Sequence, residues 1–231
     1  AAQCRGGPAA LGAGAMKFPS ITKTYGSRRV LDIPALELEE GVIHAVIGSN
    51  GSGKSTLARI LAGVLKPDGG GVPWAGRVGY MPQRSYPFRM SVLRNLQLTG
   101  AGRDRAMEQL QAFGLEGLAR QSAKGLSGGE TARLAMARLL MEDYPFLILD
   151  EPTAAMDVAA TLLSEELLLQ YQARTGCTVL LVTHSLTQAR RIAGQLLFLK
   201  DGRLAEQGEA GQVLSHPRCA DTRAFLDFYA L

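Results

Sequence analysis

Cysteine is scarce in this chain. The three residues, Cys4, Cys177 and Cys219, lie far apart and show no metal-ligand spacing. An odd, unpatterned set of this kind suits a reducing cytosol rather than a disulfide framework. Cys177 opens an apolar run and is expected in the core. Long apolar stretches are missing too: no run reaches the roughly eighteen residues of a membrane span. The net charge of +4 is modest, and Arg and Lys are scattered without a dense basic block or interleaved aromatics. No nucleic-acid partner is therefore expected. Residues 1–15 are rich in small residues and lack the apolar centre of a secretory signal. They read as a disordered extension. Met16 is followed directly by strand-like sequence and reads as the natural start, with an over-extended reading frame or an expression scar before it. His44 and His216 have no partner pattern and are expected to be packed or surface histidines.

Against these absences stands one dense feature. Residues 48–56 read Gly48-Ser49-Asn50-Gly51-Ser52-Gly53-Lys54-Ser55-Thr56. Glycines let backbone N–H groups turn inward around an anion. Lys54 can then reach the outer phosphates of a nucleoside triphosphate, and Ser55 can put its hydroxyl on the accompanying Mg2+. The flanks agree with this reading. Val42 to Ile47 reads as a buried strand feeding the loop, and Thr56 to Ala62 as a helix whose N-terminus faces the phosphates.

The rest of the chain alternates strands and helices. Lys17 to about Glu40 reads as short strands turning at Gly26-Ser27. Lys66 to Gly71 is a break, and Gly76 to Pro82 a strand ended by proline. From Ser91 to Met141 the apolar spacing is helical. Two buried-strand runs follow, Phe146–Leu149 and Val179–Val182, with a helix over Ala160 to Ala173 between them. Leu196–Leu199 and the Asp201-Gly202 turn predict a late hairpin. An α/β fold with a mainly parallel sheet is expected, with ligands at the C-terminal ends of its strands. Gln83, Asp150, Glu151 and His184 all follow such ends.

Asp150 is placed to hold Mg2+ opposite Ser55. Glu151 points to the other side of an ideal strand. At a strand end the chain can turn, which would let Glu151 polarise a water beside the γ-phosphate. Helix capping is the competing use of this acidic pair, and the cradle upstream favours catalysis. Leu126-Ser127-Gly128-Gly129-Glu130 satisfies an S-x-x-E capping box. A plain cap would not need two glycines in the first turn, each costing roughly 1 kcal/mol of helix propensity. Bare N–H groups there suit an anion, and a second anion site suggests service to another molecule's nucleotide.

With these motifs together, the chain resembles the nucleotide-binding subunit of an ATP-binding cassette (ABC) transporter from residue 17 to about 230. The resemblance implies a P-loop NTPase domain over residues 16–231, with a small antiparallel β part and a helical subdomain inserted at about 86–143. The cradle corresponds to the Walker A motif, Phe146–Asp150 to Walker B, and Leu126–Glu130 to the signature motif. The implied roles are general base for Glu151, Q-loop residue and Mg2+ contact for Gln83, switch histidine for His184, adenine-stacking aromatic for Tyr25 and D-loop residue for Asp157. ATP and Mg2+ are the implied ligands. Two copies would sandwich two ATP molecules head to tail, each bound by one cradle and by Ser127, Gly128 and Gly129 of the other copy. A transmembrane permease would dock near Gln83–Leu96, with Tyr86, Phe88 and Met90 as groove residues or as ordinary core.

Some positions depart from the family pattern. Glu130 stands where Gln is commoner, which keeps the capping geometry and adds a charge. Ala154 and Met156 replace the usual D-loop Ser and Leu. The short interval between Lys54 and Gln83 implies trimmed antiparallel strands. The single cassette resembles bacterial importer subunits working at the cytoplasmic face of the inner membrane with an extracytoplasmic substrate-binding protein. The tail from Gly208 to Phe225 looks closer to the tungstate group than to the metal-ion group, and the resemblance implies tungstate or a related oxyanion as cargo, although no residue of such a subunit touches the cargo. A metal-ion importer and a soluble ATPase of iron–sulfur assembly remain alternatives. DNA-repair and translation relatives carry a long coiled coil or two cassettes, and this chain has neither. Mass spectrometry of the native protein is expected to find an N-terminus at Met16; an intact 1–15 segment would contradict that start.

Overall fold

The computed structural model describes residues 14–70 and 76–229. Most of the expected N-terminal extension, residues 1–13, lies outside the described residues, and so does Gly71 of the expected break. Strand structure starts one position before Met16. Ala15 opens β1 (Ala15–Phe18), which pairs antiparallel with β4 (Leu36–Glu39). Between them β2 (Ile21–Tyr25) and β3 (Arg28–Ile33) form the hairpin that turns at Gly26-Ser27, with a bulge between Lys23 and Thr24.

The main sheet has six strands. Its parallel part consists of β5 (Ile43–Ile47), β6 (Val78–Met81), β7 (Phe146–Asp150), β8 (Thr178–Val182) and β9 (Gln195–Lys200). The late hairpin adds β10 (Arg203–Glu209) antiparallel to β9, giving the order β10-β9-β5-β8-β7-β6. Every residue of β5, β7 and β8 is buried. That is why these strands read as unbroken apolar runs, since a parallel sheet is covered on both faces.

The pleat divides these runs between two cores. On β7, Phe146 and Ile148 pack toward α1 (Lys54–Leu61), together with Leu180 and Val182 of β8. Leu147 and Leu149 pack on the opposite side with Val179 and Leu181. That second core also takes residues of α2 (Val92–Gln97), α3 (Arg103–Ala112), α4 (Gly128–Leu139) and α5 (Val158–Thr175). Helices α2, α3 and α4 all lie between β6 and β7 in the chain. Between α1 and β6 the described residues hold an isolated bridge, Thr22 to Gly69, and no strand. A third core under β5 and β9 is closed by α6 (Leu186–Ile192), α7 (Ala210–Ser215) and α8 (Ala220–Phe228). Cys177 and His44 are buried, and His44 Nε2 pairs with the Glu39 carbonyl at 2.9 Å.

Phe146 is fully buried, with its ring 6.3 Å from that of Phe18, so it joins the sheet to β1. Phe146→Ala is expected to cost about 3–5 kcal/mol, read by denaturant unfolding; a loss under about 1 kcal/mol would contradict this packing.

Candidate functional site

The loop between β5 and α1 closes on itself before any ligand is considered. Gly48, Gly51 and Gly53 have φ of 149°, 78° and 103°. Two of them are also required by close approach. A Cβ on Gly48 would lie 2.2 Å from the Leu199 carbonyl oxygen, and one on Gly53 would lie 2.6 Å from Leu31 Cδ2. Lys54 Nζ donates to the carbonyls of Gly48 and Ser49 at 2.8 and 2.9 Å, across the mouth of the loop. Burial pushes the Lys54 ammonium below its ordinary pKa, and the charges of Glu151 and Asp150 act in the opposite direction. A phosphate group would supply an anion within direct reach of this buried cation.

The parity of β7 sets the next contact. Asp150 shares the face of Phe146 and Ile148, which is the face covered by α1. Ser55 in the first turn of α1 donates to Asp150 Oδ1 at 3.0 Å. The other oxygen, Asp150 Oδ2, is buried without a hydrogen-bond partner. Burial pushes the Asp150 carboxyl up, the Ser55 hydrogen bond pulls it down, and the Glu151 charge adds to the rise. An unpaired buried carboxylate oxygen beside a serine hydroxyl is a hard-oxygen donor set that fits magnesium. Among the described residues no group of three or more His, Cys, Asp or Glu could hold a metal.

Glu151 leaves the strand through a left-handed turn, with φ of 50°. For a non-glycine residue this conformation costs roughly 1–2 kcal/mol. The Glu151 N–H is retained by the Val182 carbonyl at 2.9 Å. The turn brings the carboxylate to residues from two other strand ends. Gln83 Nε2 donates to Glu151 Oε2 at 2.9 Å, and His184 Nδ1 lies 3.5 Å from the same oxygen. The Glu151 side chain is 14% exposed and that of His184 61%.

Other expected residues lie further out. Tyr25 is half exposed at the β2–β3 turn, with Lys23 Nζ 5.7 Å from its ring centre. Ser127 caps α4 in a complete capping box: Glu130 N–H donates to Ser127 Oγ at 3.3 Å, and Ser127 N–H to Glu130 Oε2 at 2.8 Å. That backbone hydrogen bond holds the Glu130 carboxyl below its ordinary pKa. The glycines have a further use, because a Cβ on Gly129 would lie 2.9 Å from the Ala155 carbonyl. None of the hydrogen bonds of Ser127–Gly129 reaches the cradle. Tyr86 and Phe88 are exposed at 73% and 51%, beside a cleft of about 440 Å³ lined in part by Met81, Tyr86, Leu98 and Arg138.

Sequence reasoning missed the linked side chains of Thr153, Glu165 and Gln188, of which Glu165 and Gln188 are buried and Thr153 is half-buried. A signal was available. Glu165 stands three and six residues before Leu168 and Tyr171, on the buried stripe of α5.

A family model described as ABC transporter matches residues 31–154. A tungstate uptake system ATP-binding protein of Peptoclostridium acidaminophilum is 34% identical over 203 residues, 81% of this chain and 95% of that protein. A zinc import ATP-binding protein of Pseudomonas fluorescens is 37% identical over 191 residues, 80% of this chain and 73% of that protein. Among solved structures, a dimeric ATP-binding cassette in a post-hydrolysis state with ADP and Pi has a TM-score of 0.75 at 28% identity, covering 85% of this chain and 99% of that one. The chain belongs to the ABC transporter family. It is an ATP-binding subunit of that family, an ATPase coupled to transport.

Gly53→Ala is expected to destabilise the fold by about 1–3 kcal/mol, because the new methyl meets Leu31 and Val30 in a left-handed backbone. Denaturant unfolding with a fluorescent nucleotide titration checks this. Unchanged stability and unchanged nucleotide affinity would contradict the cradle geometry.

Proposed function

We propose that this chain is the ATP-hydrolysing subunit of an importer, driving a separate transmembrane permease by ATP-dependent head-to-tail dimerisation. The observation that carries the reading is the meeting of Gln83 and His184 at one oxygen of Glu151, beside the cradle, with the Ser127 helix end bonded elsewhere. A site with its base and sensors in one place, and one anion-binding helix end outside, calls for a second copy.

The roles follow from the geometry. The N–H groups of Gly48–Thr56 bind the phosphates, and Lys54 turns from its own loop carbonyls to the outer ones. Ser55, Asp150 and Gln83 would hold magnesium, which when bound neutralises phosphate charge. Glu151 takes the proton of the attacking water at its carboxylate, and His184 and Gln83 orient that carboxylate and the terminal phosphate. Tyr25 stacks on the adenine. Ser127, Gly128 and Gly129 of the other copy complete charge stabilisation only on closure, so hydrolysis waits for the dimer.

The permease docks beside Gln83–Leu96, where exposed Tyr86 lines the cleft and exposed Phe88 packs on Arg138 of its wall. An importer ATPase of this type works at the cytoplasmic face of the inner membrane, and an extracytoplasmic binding protein delivers the cargo. The tungstate relative, matched over 95% of its length, supports an oxyanion cargo. The zinc relatives support a metal ion as the second reading, at a slightly higher 37% identity. Deleting the gene and measuring cellular tungsten and zinc separates the two: loss of tungsten accumulation supports the first, and loss of zinc overturns it. Co-purification without any membrane protein would instead favour a soluble assembly ATPase.

Glu151→Gln is expected to abolish turnover while leaving a stable ATP-bound dimer on size-exclusion chromatography; full hydrolysis by this variant would remove Glu151 as the base. Ser127→Arg is expected to block closure. Undiminished cooperative ATPase activity in that variant would refute the shared site.

A further inference from the structure

Glu165 is an unusual residue to find inside this protein. Its side chain is 5% exposed in the middle of α5. A buried carboxylate is costly unless it is paired and hydrogen-bonded. Arg191 supplies a fork, Nε to Oε2 at 2.8 Å and Nη2 to Oε1 at 2.7 Å. Gln188, also buried, donates Nε2 to Glu165 Oε1 at 3.0 Å. The same amide nitrogen donates to Thr153 Oγ1 at 3.1 Å. The chain of bonds therefore runs from α5 through α6 to the loop that follows Glu151.

Both ends of this chain matter. Thr153 lies two residues after Glu151, inside the turn closed by Ala154 N–H to the Glu151 carbonyl at 3.3 Å. Gln188 sits in the first turn of α6, where its N–H is capped by Ser185 Oγ at 3.2 Å. Ser185 directly follows His184. A neighbouring bond, Ser164 Oγ to Met156 Sδ at 3.3 Å, ties α5 to the same loop one step further on. The two turns that present Glu151 and His184 are thus joined by one hydrogen-bonded network with Glu165 and Gln188 buried at its centre.

We propose that Thr153, Gln188 and Glu165 form a positioning relay that fixes the Glu151 turn against the His184 turn for hydrolysis. It acts by holding a strained left-handed residue in register with a largely exposed histidine, where a small misplacement costs rate. It rests on the reading of Glu151 as the base, and the arms of the test keep the two apart.

The test uses the full chain and steady-state ATPase kinetics with Thr153→Val, which keeps shape and removes the hydroxyl acceptor. Gln188 then still has Glu165 as acceptor for one of its two amide hydrogens, so a single part-buried hydrogen bond is lost. The expected result is a roughly fivefold lower kcat with KM for ATP within about twofold, the pattern of a lost transition-state contact. The thermal midpoint is unchanged, and Thr153→Ser restores most of kcat. Gln188→Leu lowers kcat by a similar factor, and the double variant is no worse than either single one, as expected of residues acting in one chain. A wild-type kcat in Thr153→Val overturns the relay, as does an equal loss in Thr153→Ser or a fall in kcat matched by a fall in thermal midpoint. Turnover by Glu151→Gln would instead overturn the assignment of the base, whatever Thr153→Val does.

Discussion

The hydrogen bond from Ser55 to Asp150 joins the first turn of α1 to the end of β7, and the arrangement of the site hangs on it. It exists because of the pleat. Successive residues of a strand face opposite sides, and the side of Phe146 and Ile148 is the side that α1 covers. Asp150 inherits that side. The cradle and the acidic strand end therefore form one unit, although 95 positions separate Ser55 from Asp150. Glu151 would point away if the strand continued. Its left-handed backbone breaks the alternation and swings the carboxylate to Gln83 and His184. One residue of regular strand and one residue of strained turn thus send two neighbouring carboxylates to different tasks.

Much of this arrangement can be read in the chain itself. Fully buried strands leave unbroken apolar runs, so β5, β7 and β8 stand out, and the candidate site residues follow directly after them. The glycines of the cradle were legible as an anion-binding loop, and at Gly48 and Gly53 close approach to Leu199 and Leu31 also leaves no room for a side chain. The Ser127–Glu130 spacing announced a capping box, which forms with both its bonds. The polar network of Thr153, Gln188 and Glu165 was not legible in the same way. Its members come from a loop and two helices, and only the fold brings them together. The second use of Gly129 was hidden for the same reason, since Ala155 reaches it from the loop after Glu151.

The signature helix end has a character of its own. The Glu130 carboxylate takes the Ser127 N–H, and Ser127 Oγ takes the Glu130 N–H. Both groups that open the helix are thereby occupied within one chain. Gly129 lies close against the Ala155 carbonyl, so this helix end packs on the loop that begins at Glu151.

The central claim is that the cradle is half of a site and that a second copy supplies the rest. Cross-linking tests it directly. One preparation carries Asn50→Cys and another Ser127→Cys, both in a Cys4→Ser background that leaves only the buried Cys177 and Cys219. On mixing and mild oxidation, a disulfide between the two chains is predicted with ATP and magnesium present, and very little without nucleotide. No cross-link with ATP, or the same yield in its absence, would contradict the account.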